Sequence, residues 1–145
     1  MKRALLLLAH GARDPRWAAP FEEMADHLRL LAPGVEVRLS YLDFLQPGLG
    51  NAGDALVVTG VERVDIVPLF LGAGGHVRSD VPRLVNELAA RHAGVHWQLH
   101  PAIGELRDVI EAMALAALKA VDSSLRAAAS AAPAAQSGSP SRANP

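Results

Sequence analysis

No cysteine occurs among the 145 residues. That removes disulfides, thiolate nucleophiles, iron–sulfur clusters and Cys-ligated zinc, and leaves only nitrogen and oxygen ligands for any metal. Charge of one sign is missing too: 14 Lys+Arg against 15 Asp+Glu leave a formal charge of −1, too even for a chain whose partner is nucleic acid. The apolar run Ala4–Ala9 behind Met1-Lys2-Arg3 is shorter than the core of a secretory signal and ends at His10-Gly11. It reads as a buried strand. Nothing approaches the roughly 18 consecutive apolar residues of a membrane span. A soluble, cytoplasmic protein without a membrane partner is expected. Neither a G-x-G-x-x-G nor a Walker pattern is present, so a nucleotide is not called for.

What is present is enough apolar material for a core: half of the chain is hydrophobic and a fifth charged, at a length that suits one domain. From Ala127 onward the composition turns to Ala, Ser and Pro with no Leu, Ile, Val or aromatic residue. A domain over residues 1–121 and a disordered tail over 122–145 are expected.

Within the domain, short apolar runs alternate with segments of helical period. Ala4–Ala9 predicts a fully buried strand. Trp17, Phe21, Met24, Leu28 and Leu31 recur in steps of four and three, which places them on one helix face ahead of the stop at Pro33-Gly34. Val35–Leu42 alternates as a second strand, and Pro47 opens a weaker helix with Leu49, Ala52 and Leu56 inward. Val64–Leu71 is the third strand, its Pro68 suited to a bulge or an unpaired edge. Ser79 or Asp80 is expected to cap a third helix with Pro82 in its first turn and Leu84, Val85 and Leu88 inward. Val95–His100 is a fourth strand. Glu105–Val121 is a last helix with Leu106, Val109, Ile110, Met113, Ala117 and Leu118 turned inward. The order βαβαβαβα predicts a small doubly wound, flavodoxin-like α/β domain, with a parallel sheet of about four strands and helices on both faces.

In such a sheet ligands bind beyond the carboxyl ends of the strands, where the strand order reverses. That rule sorts the six histidines. His10 comes directly after strand one, His76 lies in the loop after strand three and His100 ends strand four, while Asp43 comes directly after strand two. His27, His92 and His96 fall in helices or at the opposite edge of the sheet and read as solvent-facing or packing residues. Leu71-Gly72-Ala73-Gly74-Gly75-His76 carries little side-chain bulk, so its backbone could approach a large flat ligand. Arg13 and Arg16 near His10, and Arg78 near His76, favour a polycarboxylate or a phosphate.

The stretches Leu7-Leu8-Ala9-His10-Gly11-Ala12-Arg13-Asp14-Pro15 and Val67-Pro68-Leu69-Phe70-Leu71-Gly72-Ala73-Gly74-Gly75-His76-Val77-Arg78-Ser79-Asp80-Val81-Pro82 closely resemble the two signatures of the sirohydrochlorin chelatases, the small class II tetrapyrrole chelatases of the CbiX/SirB type. The resemblance spans about residues 3 to 120. It implies a chelatase that inserts Co²⁺, or Fe²⁺ or Ni²⁺ in some relatives, into sirohydrochlorin on the way to cobalamin or siroheme, with no permanently bound cofactor. The family's metal-site histidines fall on His10 and His76. Ala12 stands where members commonly carry Ser, and Asp43 where they commonly carry Glu, a carboxylate shorter by one methylene. The resemblance thus implies His10, His76 and Asp43 around the metal and Arg13, Gly74, Gly75 and Arg78 around the macrocycle. Longer chelatases resemble two such lobes facing across a cleft, so a homodimer is expected to enclose the ring.

The chemistry suits imidazole. Insertion strips water from a divalent cation, presents the cation to one ring face and removes two pyrrole protons. Neutral ring nitrogen binds first-row metals and accepts protons near neutrality. Activity is expected to fall below about pH 6.5, where free imidazole becomes protonated. Two alternatives stay open. One is a non-catalytic metal or tetrapyrrole carrier on the same fold. The other is a histidine-phosphatase-like phosphohydrolase, suggested by His10-Gly11-Ala12-Arg13 but lacking Arg at position 9, where this chain has Ala9.

Overall fold

The computed structural model describes residues 1–131. It divides into two units, Met1–Ile110 and a second that begins at Glu111. The first holds four parallel strands, β1 (Arg3–Ala9), β2 (Val35–Tyr41), β3 (Arg63–Pro68) and β4 (His96–Leu99), in the order β2-β1-β3-β4. The connecting helices are α1 (Ala19–Leu31), α2 (Leu49–Val58) and α3 (Gly75–Arg91), followed by α4 (Arg107–Ala131). The expected α/β architecture is therefore present. Among the described residues no helix is long and apolar enough to cross a membrane.

The strand sequences reflect their places in the sheet. β1 is central and covered on both faces, so Leu6, Leu7, Leu8 and Ala9 are all buried and an unbroken apolar run is what the position needs. Its even-numbered side packs with Val64, Ile66, Leu56 and Leu88 beneath α2 and α3. Its odd-numbered side meets Val37, Ala25, Phe21 and Leu28 beneath α1. Each fully buried leucine is worth roughly 1.5–3 kcal/mol of transfer free energy. Ser40 is the buried polar exception, and it donates to the Leu7 carbonyl at 2.8 Å. Pro68 meets the expectation of an unpaired edge on the β4 side of the strand. It ends β3 opposite Leu8, past the last β3–β4 pair at Ile66 and Leu99, where a missing N–H interrupts no pairing with β4.

Several boundaries differ from the sequence reading. The first helix opens with a 3-10 turn, Pro15–Ala18, capped by Asp14, which accepts from the Arg16 N–H at 2.9 Å. Leu31, expected on the same face as Leu28, is 80% exposed. α2 begins at Leu49 behind an N-cap Gly48, two residues later than its proline suggests. α3 begins at Gly75 with Gly74 as N-cap, so Pro82 stands inside the helix. Ser79 does not cap it: its hydroxyl donates back to the Gly75 and His76 carbonyls at 3.3 and 3.1 Å, the i−4 and i−3 bonding open to a serine within a helix.

The last helix departs most. It starts at Arg107, after a 3-10 turn at Ile103–Glu105, and contains no buried residue. Leu106 just ahead of it, and Ile110, Met113 and Leu118 along it, are 43, 49, 37 and 57% exposed, and Val109 and Ala117 are not buried either. Periodicity reports that a helix has an apolar face and says nothing of whether the same chain covers it. Residues 122–131, expected to belong to the tail, continue the helix, in keeping with the high helix propensity of alanine. The rest of the expected tail, 132–145, lies outside the described residues.

Candidate functional site

The chain goes from β1 outward to β2 and then back across β1 to β3, so the strand order reverses between β1 and β3. A crevice is expected there at the carboxyl ends. His10 is the first residue past β1, and His76 is the second residue of α3, the helix that follows β3. Neighbouring strands therefore deliver both histidines to one end of the sheet. Asp43 lies just past β2 at the same end.

Backbone contacts fix the rim. The Leu42 and Asp43 N–H groups donate to the Ala9 and His10 carbonyls at 2.9 and 3.0 Å, so the β1 and β2 exits are tied together past the strands. Gly11 makes this possible: its φ is +87°, and a Cβ there would overlap the Asp43 carbonyl oxygen. On the other flank the Gly104 N–H donates to the Phe70 carbonyl at 2.8 Å, and a Cβ on Gly104 would overlap the Leu71 backbone. The expected openness around the glycine-rich loop also holds, since Cβ atoms at Gly72, Gly74 and Gly75 would meet nothing within 4 Å.

The His10 ring rests on buried Phe70, with ring centroids 4.2 Å apart and a tilt of 35°. That support limits its rotamers while leaving the residue exposed. His10, Gly11, Leu42, Asp43 and Phe44 form one side of a cavity of about 410 Å³, and Val77, Asp80, Arg83 and Leu84 of α3 form the other. Sequence reasoning misses Asp80 and Arg83 as site residues. Asp80 reads as a helix cap, whereas α3 already runs through it, and both it and Arg83 line the cavity.

The remaining expected residues separate into groups. Arg13 is exposed with its guanidinium 5.3 Å from the Phe44 ring centroid. Arg78 donates through Nε to the Ala73 carbonyl at 2.9 Å and lies 3.5 Å from Glu105, beside a smaller cavity of about 150 Å³ under Phe70 and Val81. His76 is exposed on the first turn of α3. Among the described residues no three His or carboxylate side chains are gathered closely enough to hold a metal ion. The expected trio of His10, Asp43 and His76 is therefore not assembled as a three-ligand centre within this chain. The strand ends bring these residues to one rim, and their side chains do not close on a common point.

His100 takes another partner. Its Nε2 lies 2.9 Å from Asp65 Oδ1 in mid-β3, and Arg63 and Arg3 reach the same carboxylate at 2.8 and 3.3 Å. The Arg63 hydrogen bond above all, helped by His100 and Arg3, holds the Asp65 carboxyl far below the ordinary carboxylate range against the burial that would raise it. A carboxyl depressed in the folded state adds stability that is complete above its unfolded value near 4 and fades as pH falls further. Asp65→Asn is expected to lower unfolding free energy by roughly 1–2 kcal/mol at pH 7, with the gap to wild type narrowing toward pH 3. Urea titrations at the two pH values check this, and an equal loss at both would rule it out. His92 is likewise occupied, 2.6 Å from Asp54, and exposed His27 lies 3.9 Å from Glu23.

Comparison with known proteins shows the family of the chain. The CbiX family model matches residues 4–119, a span that contains both histidine motifs. The sirohydrochlorin cobaltochelatase of Methanosarcina barkeri is 31% identical over 85 residues, covering 59% of this chain and 65% of its own length. That of Methanocaldococcus jannaschii is 33% identical over 91 residues, covering 61% and 62%. The chain thus matches just under two thirds of the length of these curated relatives. Among solved structures, a CbiX protein described under cobalamin (vitamin B12) biosynthesis from Marinobacter aquaeolei VT8 is 33% identical, with a TM-score of 0.68 and coverage of 86% of this chain and 98% of that one. The sirohydrochlorin chelatase SirB of Bacillus subtilis subspecies spizizenii, solved with cobalt, shares the fold at a TM-score of 0.69 and 23% identity, and this chain covers 48% of it.

Proposed function

Because the chain belongs to the CbiX family, we propose that it is a sirohydrochlorin metallochelatase, inserting a divalent metal, Co²⁺ in the first instance, with release of two pyrrole protons. The observation that carries the reading is the cavity at the strand-order reversal: His10, backed by Phe70, shares it with Asp43, and α3, whose first turn bears His76, forms its far wall. The curated relatives named cobaltochelatases support cobalt. His and carboxylate ligands accept all three metals in a general order of affinity, and availability in the cell helps to select among them.

In this reading the metal is a substrate. His10 and His76 take it through neutral ring nitrogen and replace its water, each ring nitrogen accepts a pyrrole proton as it gives the ion up to the macrocycle, and Asp43 orients the aquated ion from the β2 exit. Two imidazoles hold a cation loosely enough to surrender it to a four-nitrogen ring. Arg13 and Arg78 meet carboxylates of the macrocycle, for which Arg78 must give up Glu105, and the bare backbone at Gly74 and Gly75 lets the ring approach.

A homodimer completes the site. One lobe leaves this rim open on one side, while the SirB fold neighbour is about twice as long as the part this chain covers. Two copies related by a two-fold axis with their strand-end rims opposed would enclose a ring. The test is anaerobic incubation of the purified full chain with sirohydrochlorin and Co²⁺, Fe²⁺ or Ni²⁺ separately, following the visible absorption of the ring and sedimentation in the same mixture. Insertion well above the spontaneous rate by a dimer is expected. Stoichiometric binding without acceleration supports a carrier, and metal-independent hydrolysis of a phosphate ester supports a phosphohydrolase. Either result defeats the proposal.

A further inference from the structure

Phe44 is out of place by every rule that explains the other aromatics. The chain has only six Phe, Trp and Tyr residues; the other five are buried or half-buried, whereas Phe44 is 58% exposed and belongs to none of the core clusters. Its backbone is also costly. It is the one non-glycine residue among those described with positive φ, at +62°, a region that a bulky side chain seldom enters.

The surroundings hold it there. The Phe44 N–H donates to Asp43 Oδ1 at 3.0 Å, and the Leu45 N–H donates to the Asp43 carbonyl at 2.7 Å. The turn that presents the ring is thus built by the residue whose backbone is locked to His10. Strain retained at an exposed position that contributes nothing to the core points to function. The ring edges the same cavity as His10 and Asp43, and the Arg13 guanidinium covers it at 5.3 Å. A flat cation over a flat ring keeps the face from bulk water without burying it.

Resting on the chelatase reading, we propose that Phe44 is the stacking platform for the tetrapyrrole, setting the macrocycle against the His10 rim, and that Arg13 leaves the ring face for a peripheral carboxylate of the incoming substrate. The pairing defines the ligand class: a conjugated planar ring gains from an aromatic face, and an anionic periphery gains from the displaced guanidinium.

The experiment uses the full chain and metal-free sirohydrochlorin, titrated anaerobically by absorption, with thermal unfolding of each variant alongside. Phe44→Asn keeps a residue that tolerates positive φ and removes the ring. It is expected to raise Kd about tenfold, in line with aromatic stacking, while its unfolding midpoint holds or rises as strain is relieved. Phe44→Leu keeps apolar bulk without a flat face and is expected to weaken binding similarly, and Phe44→Trp is expected to stay within about twofold of wild type. Wild-type affinity in both the Asn and Leu variants overturns this inference alone. A wild-type chain that takes up no sirohydrochlorin overturns the chelatase reading, and this inference with it.

Discussion

Alanine in place of His10 is expected to slow cobalt insertion into sirohydrochlorin by at least about a hundredfold, the scale on which a positioned acid–base group acts. His76→Ala is expected to match it. His10 leaves β1 and His76 opens α3, the helix after neighbouring β3, at the point where the sheet order reverses, and in the proposed reaction they share one task. Residues that act as a unit lose nearly everything with the first deletion, so the double variant should be little worse than either single one. Stability gives the control. Both histidines are exposed, and of the two only His10 rests on a core side chain, Phe70. The unfolding midpoint of His76→Ala should be unchanged and that of His10→Ala lowered slightly. His27 and His96, exposed away from this rim, should be replaceable without loss of rate. Initial rates read from the ring absorption decide the matter. If His10→Ala and His76→Ala keep wild-type rates, neither imidazole handles metal or protons.

The legibility of this protein in its sequence differs from element to element. The strands are plain, because a central parallel strand must be apolar on both faces and Ala4–Ala9 can be little else. The same logic places His10, Asp43 and His76 at one end of the sheet, since the connection that leaves a strand starts at that strand's carboxyl end. The start of α3 is hidden. Ser79, Asp80 and Pro82 look like a helix opening, whereas the true N-cap Gly74 makes no side-chain bond and leaves no chemical signature. The false opening conceals Asp80 and Arg83 as cavity residues. Relations between distant segments are also out of reach. Asp65 and His100 belong to different strands, and only the parallel register of β3 and β4 brings them together. The apolar row of α4 is visible and its exposure is not, because a period does not identify what covers it.

The Gly11 position joins fold and site most tightly, and Gly11→Ala is expected to cost about 3 kcal/mol or more of unfolding free energy together with most of the activity. Two penalties add. A φ of +87° costs an L-residue roughly 1–2 kcal/mol, and the added methyl would overlap the Asp43 carbonyl oxygen. Backbone blocks that contact, so no rotamer change relieves it. Either the Asp43–His10 hydrogen bond at 3.0 Å opens or the β2 exit swings outward, and each moves Asp43 and Phe44 away from His10. Misplacing a reacting group by about 1 Å can cost a hundredfold in rate, so kcat should fall even in the fraction that remains folded. Gly72→Ala, in the loop before α3, is the comparison: its Cβ would meet nothing within 4 Å and it has no positive φ, so its unfolding free energy should change by less than about 0.5 kcal/mol. Urea unfolding of both variants, with initial rates measured at matched folded fractions, separates the two effects. A Gly11→Ala protein as stable and as fast as wild type would mean that the β1 and β2 exits do not need their close approach, and that the rim tolerates being loose.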